Sequence, residues 1–398
     1  MTDLFAPLQS LKQGDWFKLI CGASFQHLPA VRSLTLAYTL AGADCIDVAA
    51  DPAVISAAQA GLQVAKSLAK DAQKRGFDYK GNSPFLMVSL NDGEDPHFRK
   101  AEFNPTQCPT NCPRPCERIC PAQAIVFNSI KEDFSGVISE KCYGCGRCIP
   151  VCPYDIIYTS SYMSTPGAIA PLVMSTGVDA VEIHTKVGRL AEFEQLWQAI
   201  SPWADQLKLL AISCPDGEGM TDYLRALYEL VAPLKSALIW QTDGRSMSGD
   251  IGDGTTIAAV KLGQKVLAAK LPGYVQLAGG TNSYTVAKLK AMGLLKRAGE
   301  QGRRGAGERE ELFSSAPLPL HPSAPLPLCP SASIAGVAYG SYARVLLSPI
   351  LEQLENKEVS NTNVKATVRL EEDDVLLWQA VELAHSLVSQ IKKSQQER

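Results

Sequence analysis

Short apolar runs alternate along most of this chain with longer stretches in which apolar residues recur at helical spacing. The runs are five to seven residues long and mostly apolar, as in parallel strands that are buried on both faces. This pattern predicts eight strands. They cover residues 17–23, 44–50, 84–90, 180–185, 208–214, 237–242, 274–278 and 333–339.

A helical stretch follows each predicted strand, in the third case only after a long interruption. Eight strand–helix units are what a (β/α)8 barrel of the TIM type requires, and we predict that α/β fold. A doubly wound open sheet is the alternative. Against it, the turn after the first predicted strand carries no G-x-G-x-x-G fingerprint.

Two cysteine runs lie in the interruption after the third strand. The second run has the C-x2-C-x2-C-x3-C-P spacing of bacterial ferredoxins. The first run leaves three residues in every gap and ends in the same Cys-Pro pair. The eight residues are Cys108, Cys112, Cys116, Cys120, Cys142, Cys145, Cys148 and Cys152.

This spacing predicts two [4Fe–4S] clusters. In two-cluster ferredoxins the fourth cysteine of each run binds the other cluster. We therefore expect Cys152 to join the first three cysteines of the first run, and Cys120 to join those of the second. Zinc knuckles and disulfides are the alternatives, but two four-membered runs closed by Cys-Pro fit them poorly. A radical-SAM motif is also a poor fit, because it would need two residues rather than three between Cys112 and Cys116.

The position of the cysteine runs is informative, since the loop after a barrel strand lies on the face where barrel active sites are built. Residues 91–164 are predicted to form an α+β module resembling a two-cluster bacterial ferredoxin, inserted after strand 3 beside the barrel mouth. Apolar segments at 124–127 and 156–158 follow the two Cys-Pro pairs and predict short strands that keep water from the clusters.

The rest of the chain divides around this module. We expect the first part of the barrel at 1–90, its continuation at 165–297, a proline-rich and disordered insert at 298–332, the last strand and helix at 333–356, and a linker with an amphipathic helix at 357–398. The insert lies in a helix-to-strand connection, and therefore on the face opposite the mouth. The final helix is expected to pack on the barrel wall, and docking of a partner is the alternative.

Glycines end the last two predicted strands. Gly279 and Gly280 follow the seventh strand, and Gly340 and Ser341 follow the eighth. Phosphate-binding barrels use these two loops, so the four residues are candidate contacts for the phosphate of FMN or another ligand. The alternative is that the glycines only turn tight loops.

Other polar residues fall at the ends of predicted strands, where they would surround the mouth. They are Asp51, His184, Lys186, Asp216, Gln241, Asp243 and Arg245. His184 and Lys186 are the first pair to test. A nucleophile with its base is not recognisable in the sequence.

Composition narrows the class of protein. The net charge of −3 combines 38 basic and 41 acidic residues, so a basic surface for nucleic acid is not expected. Apolar runs fall short of the roughly 18 residues of a membrane span, and residues 1–14 lack the regions of a secretory leader. Unpaired cysteines in apolar runs favour a reducing, cytoplasmic setting.

The combination of the eight cysteines with segments 19–26 (LICGASFQ) and 40–51 (LAGADCIDVAAD) resembles the light-dependent period family of cyanobacterial iron–sulfur proteins. The resemblance covers nearly the whole chain except the proline-rich insert. It implies a redox sensor in the input path of the circadian clock, in contact with the circadian input kinase and clock proteins. Among site residues, it extends only to the eight cysteines.

Two functions therefore remain open. The first is redox sensing and electron transfer, in which a change in cluster charge alters contacts with signalling partners. The second is an iron–sulfur oxidoreductase, in which electrons pass from the clusters to FMN in the barrel mouth. Residues 213–215 (Ser-Cys-Pro) are similar to the active loop of dihydroorotate dehydrogenases, but they follow strand 5, which weakens that analogy.

Overall fold

The computed structural model describes residues 6–22, 27–77, 79, 81–93, 99–120, 122–129, 134–139, 141–142, 148–161, 170–171, 173–244, 254–296, 330–360 and 368–392. Its strands are β1 (Trp16–Gly22), β2 (Cys45–Ala49), β3 (Phe85–Asn91), β4 (Arg99–Glu102), β5 (Ile125–Ser129), β6 (Phe134–Val137), β7 (Tyr158–Ser161), β8 (Ala180–His184), β9 (Leu209–Pro215), β10 (Ala237–Asp243), β11 (Gly273–Ala278) and β12 (Pro330–Tyr339).

Helices follow most of these strands and surround the sheet. They are α1 (Ala6–Gln13), α2 (Leu28–Leu40), α3 (Pro52–Ser67), α4 (Ala69–Lys74), α5 (Pro115–Ile119), α6 (Leu190–Ile200), α7 (Met220–Val231), α8 (Thr256–Ala268), α9 (Thr285–Ala291), α10 (Ser341–Ser360) and α11 (Asp374–Val388). Among the described helices, none is long and apolar enough to cross a membrane.

Eight parallel strands close into a barrel in the order β1-β12-β11-β10-β9-β8-β3-β2. The predicted (β/α)8 fold is confirmed, and the open-sheet alternative is wrong because β1 pairs with both β2 and β12. The β1–β12 seam is tight. A Cβ at Gly336 would collide with the carbonyl oxygen of Trp16, so this position of β12 needs glycine.

The barrel has an apolar lower layer and a polar upper layer. Near the N-terminal ends of the strands, Trp16, Phe85 and Ile239 pack inside the barrel with Leu8 and Leu11 of α1, which closes that end. A larger apolar cluster fills the space between the strands and the outer helices. Polar side chains occupy the interior toward the mouth, where active sites of such barrels are built.

The segment between β3 and β8 holds two small antiparallel sheets. β4 pairs with β7, and β5 pairs with β6, so the outer pair encloses the inner pair along the chain. The strand predicted at 124–127 is found as β5, whereas β7 begins only at Tyr158, the last residue of the segment predicted at 156–158. Their partners β4 and β6 were not predicted, because the sequences RKAE and FSGV are short and carry little apolar pattern.

The last helix, α11, packs against α2 and α10. Its apolar stripe is buried, so the predicted packing on the barrel wall is confirmed. A bidentate ion pair from Arg32 of α2 to Glu371, just before α11, reinforces this contact. The proline-rich sequence up to Cys329, together with Cys145 and Arg245, lies outside the described residues. β12 begins at Pro330, three residues before the predicted strand.

Candidate iron–sulfur centre and barrel mouth

Two prolines and one residue with a left-handed backbone conformation determine the path of the chain around the first cysteine run. A short 3-10 turn, Pro105–Gln107, precedes Cys108. Arg114 has a φ of 50°, which reverses the chain, and Pro115 then begins α5 with its fixed backbone angle. The helix carries Cys116 and ends before Cys120. The loop and the helix thus present the cysteines from different directions, as a cube of iron and sulfide needs.

Cys108 and Cys116 of the first run both interact electrostatically with Cys152 of the second run. Burial and the neighbouring thiols of Cys112 and Cys152 raise the pKa of Cys108. Burial and the thiols of Cys152 and Cys108 likewise raise the pKa of Cys116. Cys152, the last cysteine of the second run, therefore lies near Cys108 and Cys116 of the first run.

The second set is described only in part, because Cys145 lies outside the described residues. Cys142 and Cys148 are buried, and they share an apolar cluster with Ala101, Ala124 and Ile157. Cys120 packs against the same cluster. Backbone N–H groups donate to the sulfurs, from Ala101 to Cys142 at 3.3 Å and from Ala124 to Cys120 at 3.3 Å.

These features fit an iron–sulfur cluster. Among the described cysteines, Cys108, Cys112, Cys116, Cys120 and Cys152 form no disulfide, so disulfides do not account for the first run. Within the described residues, no three His, Cys, Asp or Glu side chains converge on a single point as a mononuclear metal site requires. A cluster of four irons needs its thiolates spread around a cube, in an apolar shell with N–H groups directed at sulfur.

One buried ion pair joins the insert to the barrel. Lys100 of β4 places its Nζ 3.2 Å from Oδ2 of Asp51, and their side chains are 13% and 1% exposed. The same Nζ donates to the carbonyl oxygen of Ser139 at 2.5 Å. Asp51 also caps α3, since its Oδ1 accepts the N–H of Ala53 at 2.8 Å. The predicted mouth residue Asp51 therefore holds the insert in place.

The polar layer inside the barrel is built around Lys18, which is fully buried. Its Nζ lies 2.9 Å from Oδ2 of Asp47, donates to Glu182, and donates to Oε1 of Gln241 at 3.1 Å. Gln241 in turn accepts from Gln276 at 2.6 Å. Lysine is rarely fully buried unless it is paired, and here each partner comes from a different strand.

The pKa values of the two carboxyl groups of this layer, those of Asp47 and Glu182, are shifted in opposite directions. Burial opposes the charge of Lys18, but Asp47 and Glu182 together hold its pKa above the ordinary value. Burial also opposes ionisation of Glu182, yet Lys18 and His184 lower its pKa. Burial raises the pKa of Asp47, and the charge of Glu182 adds to that rise. Burial and Glu182 thus favour the neutral form of Asp47, whereas Lys18 and His184 favour the charged form of Glu182.

His184 connects this layer to the mouth. Its Nε2 lies 3.1 Å from Oε1 of Glu182, and its side chain is 28% exposed. Lys186, which we paired with His184 from the sequence, is exposed and interacts electrostatically with Asp92. The two side chains therefore have different partners. Asp216 forms an exposed ion pair with Lys265.

Sequence reasoning missed Lys18, Asp47 and Glu182 as site residues. Each is a single charged residue inside an apolar run that forms a buried parallel strand. A charged residue within an otherwise apolar strand was the signal in the sequence that could have identified these three site residues. Gln241 was found because it lies near the end of its strand.

The glycine loops at the mouth are held by hydroxyl and amide side chains. The carbonyl oxygen of Gly280 accepts from Thr255 Oγ1 at 2.7 Å, and Asn282 Oδ1 accepts from Thr256 at 3.1 Å. Gly279 and Gly280 both have positive φ. Ser341 accepts a bond from Arg344, which also donates to backbone carbonyls of β1. A phosphate bound by Gly279, Gly280, Gly340 and Ser341 stays a prediction.

Comparison with known proteins follows the same division of the chain. A model of the iron–sulfur cluster-binding domain of light dependent period A matches residues 108–163, and one of its C-terminal domain matches residues 172–390. The curated protein Light dependent period A from Synechococcus elongatus is 45% identical over 388 residues, which cover 98% of this chain and 94% of that protein. The chain belongs to the light dependent period A family. It therefore carries that family's iron–sulfur cluster-binding domain.

Solved structures are only distantly similar. (S)-3-O-geranylgeranylglyceryl phosphate synthase from Thermoplasma acidophilum is 10% identical, with 99% of this chain and 100% of that chain covered and a TM-score of 0.30. A family 20 β-N-acetylglucosaminidase is 10% identical, with 60% and 55% covered and a TM-score of 0.26. Scores this low carry no argument about function.

Proposed function

We propose that this chain is a redox-sensing protein that holds two [4Fe–4S] clusters and signals through changes in their charge. The observation that carries the proposal is the grouping of Cys152 with Cys108, Cys112 and Cys116. An exchanged fourth ligand is the arrangement of two-cluster ferredoxins. Cys120 would then complete the set of Cys142, Cys145 and Cys148.

The nested sheets support a ferredoxin-like module. In such a module each cysteine run is followed by a strand, and each strand pairs with one from the other part of the module. β5 follows Cys120 and β7 follows Cys152, and each has an antiparallel partner. Phe103 and Phe127 pack together with ring centroids 5.6 Å apart, which adds to the apolar shell that limits access of water.

Signalling is proposed from the family name together with the site. Clusters bound by these cysteines would supply one-electron redox chemistry with a soluble one-electron carrier as the donor, and reduction would make the local charge more negative by one. The protein would translate this change into altered affinity for a partner. By family resemblance, we propose the circadian input kinase and clock proteins as partners, and light-dependent control of the clock period as the process.

A partner-binding assay under controlled potential tests the proposal. The chain would be purified without oxygen, poised oxidised or reduced with dithionite, and titrated with the circadian input kinase. We expect the dissociation constant to differ between the two states, and the difference to vanish in a Cys148→Ser variant. An affinity that is the same in both states would contradict redox signalling.

The charged layer in the barrel favours a second candidate function. Lys18, Glu182 and His184 are the kind of ionisable groups that catalytic barrels place toward the mouth. In this alternative an FMN or another phosphate ligand binds above His184 and receives electrons from the clusters. Release of flavin from anaerobically purified, heat-denatured protein would support it. Cluster absorption without flavin would count against it.

A further inference from the structure

We propose that Lys100 and Asp51 together set the reduction potential of the cluster bound by Cys142 and its partners, and so couple that cluster to the barrel. This inference rests on the proposed two-cluster function. It concerns a lysine and an aspartate that lie outside both cysteine runs. They would act as positioning residues, since their effect reaches the cluster through charge and through the backbone that binds it.

Lys100 forms a hydrogen bond with the backbone just before the proposed ligand Cys142. Its Nζ donates to the carbonyl oxygen of Ser139 at 2.5 Å, three residues before Cys142. The next residue, Ala101, donates its backbone N–H to Cys142 Sγ at 3.3 Å. The strand that carries Lys100 therefore also supplies an N–H group to the sulfur, and the positive charge lies beside the cluster site.

The carboxylate of Asp51 offsets the positive charge of Lys100. It is almost fully buried at the end of barrel strand β2, and its Oδ2 lies 3.2 Å from Lys100 Nζ. A positive charge near a cluster favours the reduced, more negative form, and a nearby carboxylate opposes that effect. Since water is largely excluded from both side chains, screening by solvent and salt is weak here.

The other cysteine set has a different cation. Arg114 is the positive group that acts on Cys108, and its guanidinium lies 4.2 Å from the ring centroid of Phe127 within the insert. Lys100, by contrast, spans from the insert to a barrel carboxylate. This difference predicts that the barrel influences one cluster more strongly than the other. The first cluster is then an internal control.

Thermodynamic linkage makes the coupling reciprocal. If the Lys100–Asp51 pair changes the affinity of the cluster for an electron, then the electron changes the strength of the pair by the same free energy. Reduction would draw Lys100 toward the cluster and weaken its attraction to Asp51. Asp51 caps the start of α3 beside the barrel mouth. We therefore expect reduction of the cluster to affect that end of α3.

Potentiometric titration followed by EPR tests this proposal on the full chain, with dithionite as the reductant. In Lys100→Gln we expect the ratio of reduced to oxidised second cluster, at the wild-type midpoint, to fall about tenfold, as for a unit charge at roughly 10 Å in an effective dielectric of about 20. In Asp51→Asn we expect it to rise about five- to tenfold, because the carboxylate that is removed lies only 3.2 Å from Lys100 Nζ. Asparagine caps helices as well as aspartate does, so α3 should be preserved.

Three controls make the outcome decisive. Lys100→Arg keeps the charge and should restore the wild-type ratio. Lys208 forms an ion pair with Asp179 beside the starts of strands β8 and β9. Lys208→Gln removes that lysine and should leave the midpoints of both clusters unchanged. The first cluster should shift less than the second cluster in both Lys100→Gln and Asp51→Asn. This inference would be overturned if both clusters were reducible and the midpoint of the second cluster were unchanged in both Lys100→Gln and Asp51→Asn. The proposed function itself would be overturned if the wild type showed no second cluster signal.

Discussion

The cysteine residues of this chain fall into two groups with different chemistry. Cys21, Cys45 and Cys214 are buried in the barrel, and burial raises the pKa of Cys21 and of Cys214 to about 12. Such thiols stay protonated and unreactive. The cysteines of the insert instead face one another and backbone N–H groups. The first group therefore supplies matched controls for the second.

We predict that Cys152→Ser loses about half of the bound iron, because it removes a proposed ligand of one of the two proposed [4Fe–4S] clusters. The same change at Cys214, which is also buried, should leave the iron content unaltered. Iron and sulfide analysis of anaerobically purified variants measures both. Full iron retention in Cys152→Ser would contradict the assigned ligand set.

Lys18 is predicted to be essential to barrel stability. In Lys18→Met the ionised Glu182 loses its buried partner, and such losses destabilise proteins by about 3–5 kcal/mol. The double variant Lys18→Met/Glu182→Gln removes both charges and should be more stable than the single variant. Urea unfolding measures the difference. A loss below about 1 kcal/mol in the single variant would contradict the ion pairing.

The residue scale also shows where sequence patterns fail. Lys18 lies within the run FKLICG, whose neighbours correctly predicted a buried strand. The pattern cannot reveal that carboxylates from β2 and β8 meet this lysine, because those strands are far away in the sequence. His184 was recognised from its place at a strand end, but its partner Glu182 was not.

At the scale of elements, the contact of α11 with α2 gives a pH-dependent prediction. Burial opposes ionisation of Glu371, but its hydrogen bonds and ion pair with Arg32 lower its pKa below the ordinary 4.5. The pair therefore stabilises the fold fully above that ordinary value, and the contribution disappears as the pH falls through the lowered value.

We expect Glu371→Gln to lose about 1–2 kcal/mol of unfolding free energy at about pH 7, between the values for exposed pairs and for charge-assisted hydrogen bonds. The difference should shrink as the pH falls below about 4.5 and through the lowered pKa of Glu371, because the wild-type carboxyl then becomes protonated. Denaturant titrations at several pH values measure this. A difference that grows on acidification would contradict the assignment.

Elements with a continuous apolar pattern were the most predictable. The eight barrel strands were found in the sequence because parallel strands covered on both faces are apolar throughout. β4 and β6 were missed because short strands of a small sheet carry few apolar residues. The start of β12 at Pro330 was also missed, because residues 330–332 continue the proline-rich repeat in the sequence. Proline is tolerated there because it is the first residue of the strand.

At the scale of the whole molecule, the proline-rich sequence is predicted to be dispensable. Before it, Leu295 bridges to Ile334 of β12, and after it, Pro330 pairs with Gly273 of β11. Replacing residues 298–329 with a short Gly/Ser linker should change the unfolding free energy by less than about 0.5–1 kcal/mol, because loop length contributes weakly. Iron content should stay the same. A loss of iron would contradict the separation of this segment from the cluster site.

The whole molecule combines a closed barrel with an insert on its mouth face, and the central claim is that this insert holds two [4Fe–4S] clusters. Quantification of iron, acid-labile sulfide and zinc in anaerobically purified full-length protein tests it most directly. We expect about eight irons and about eight sulfides per chain, with no zinc. Stoichiometric zinc, or protein that folds without iron or sulfide, would contradict it.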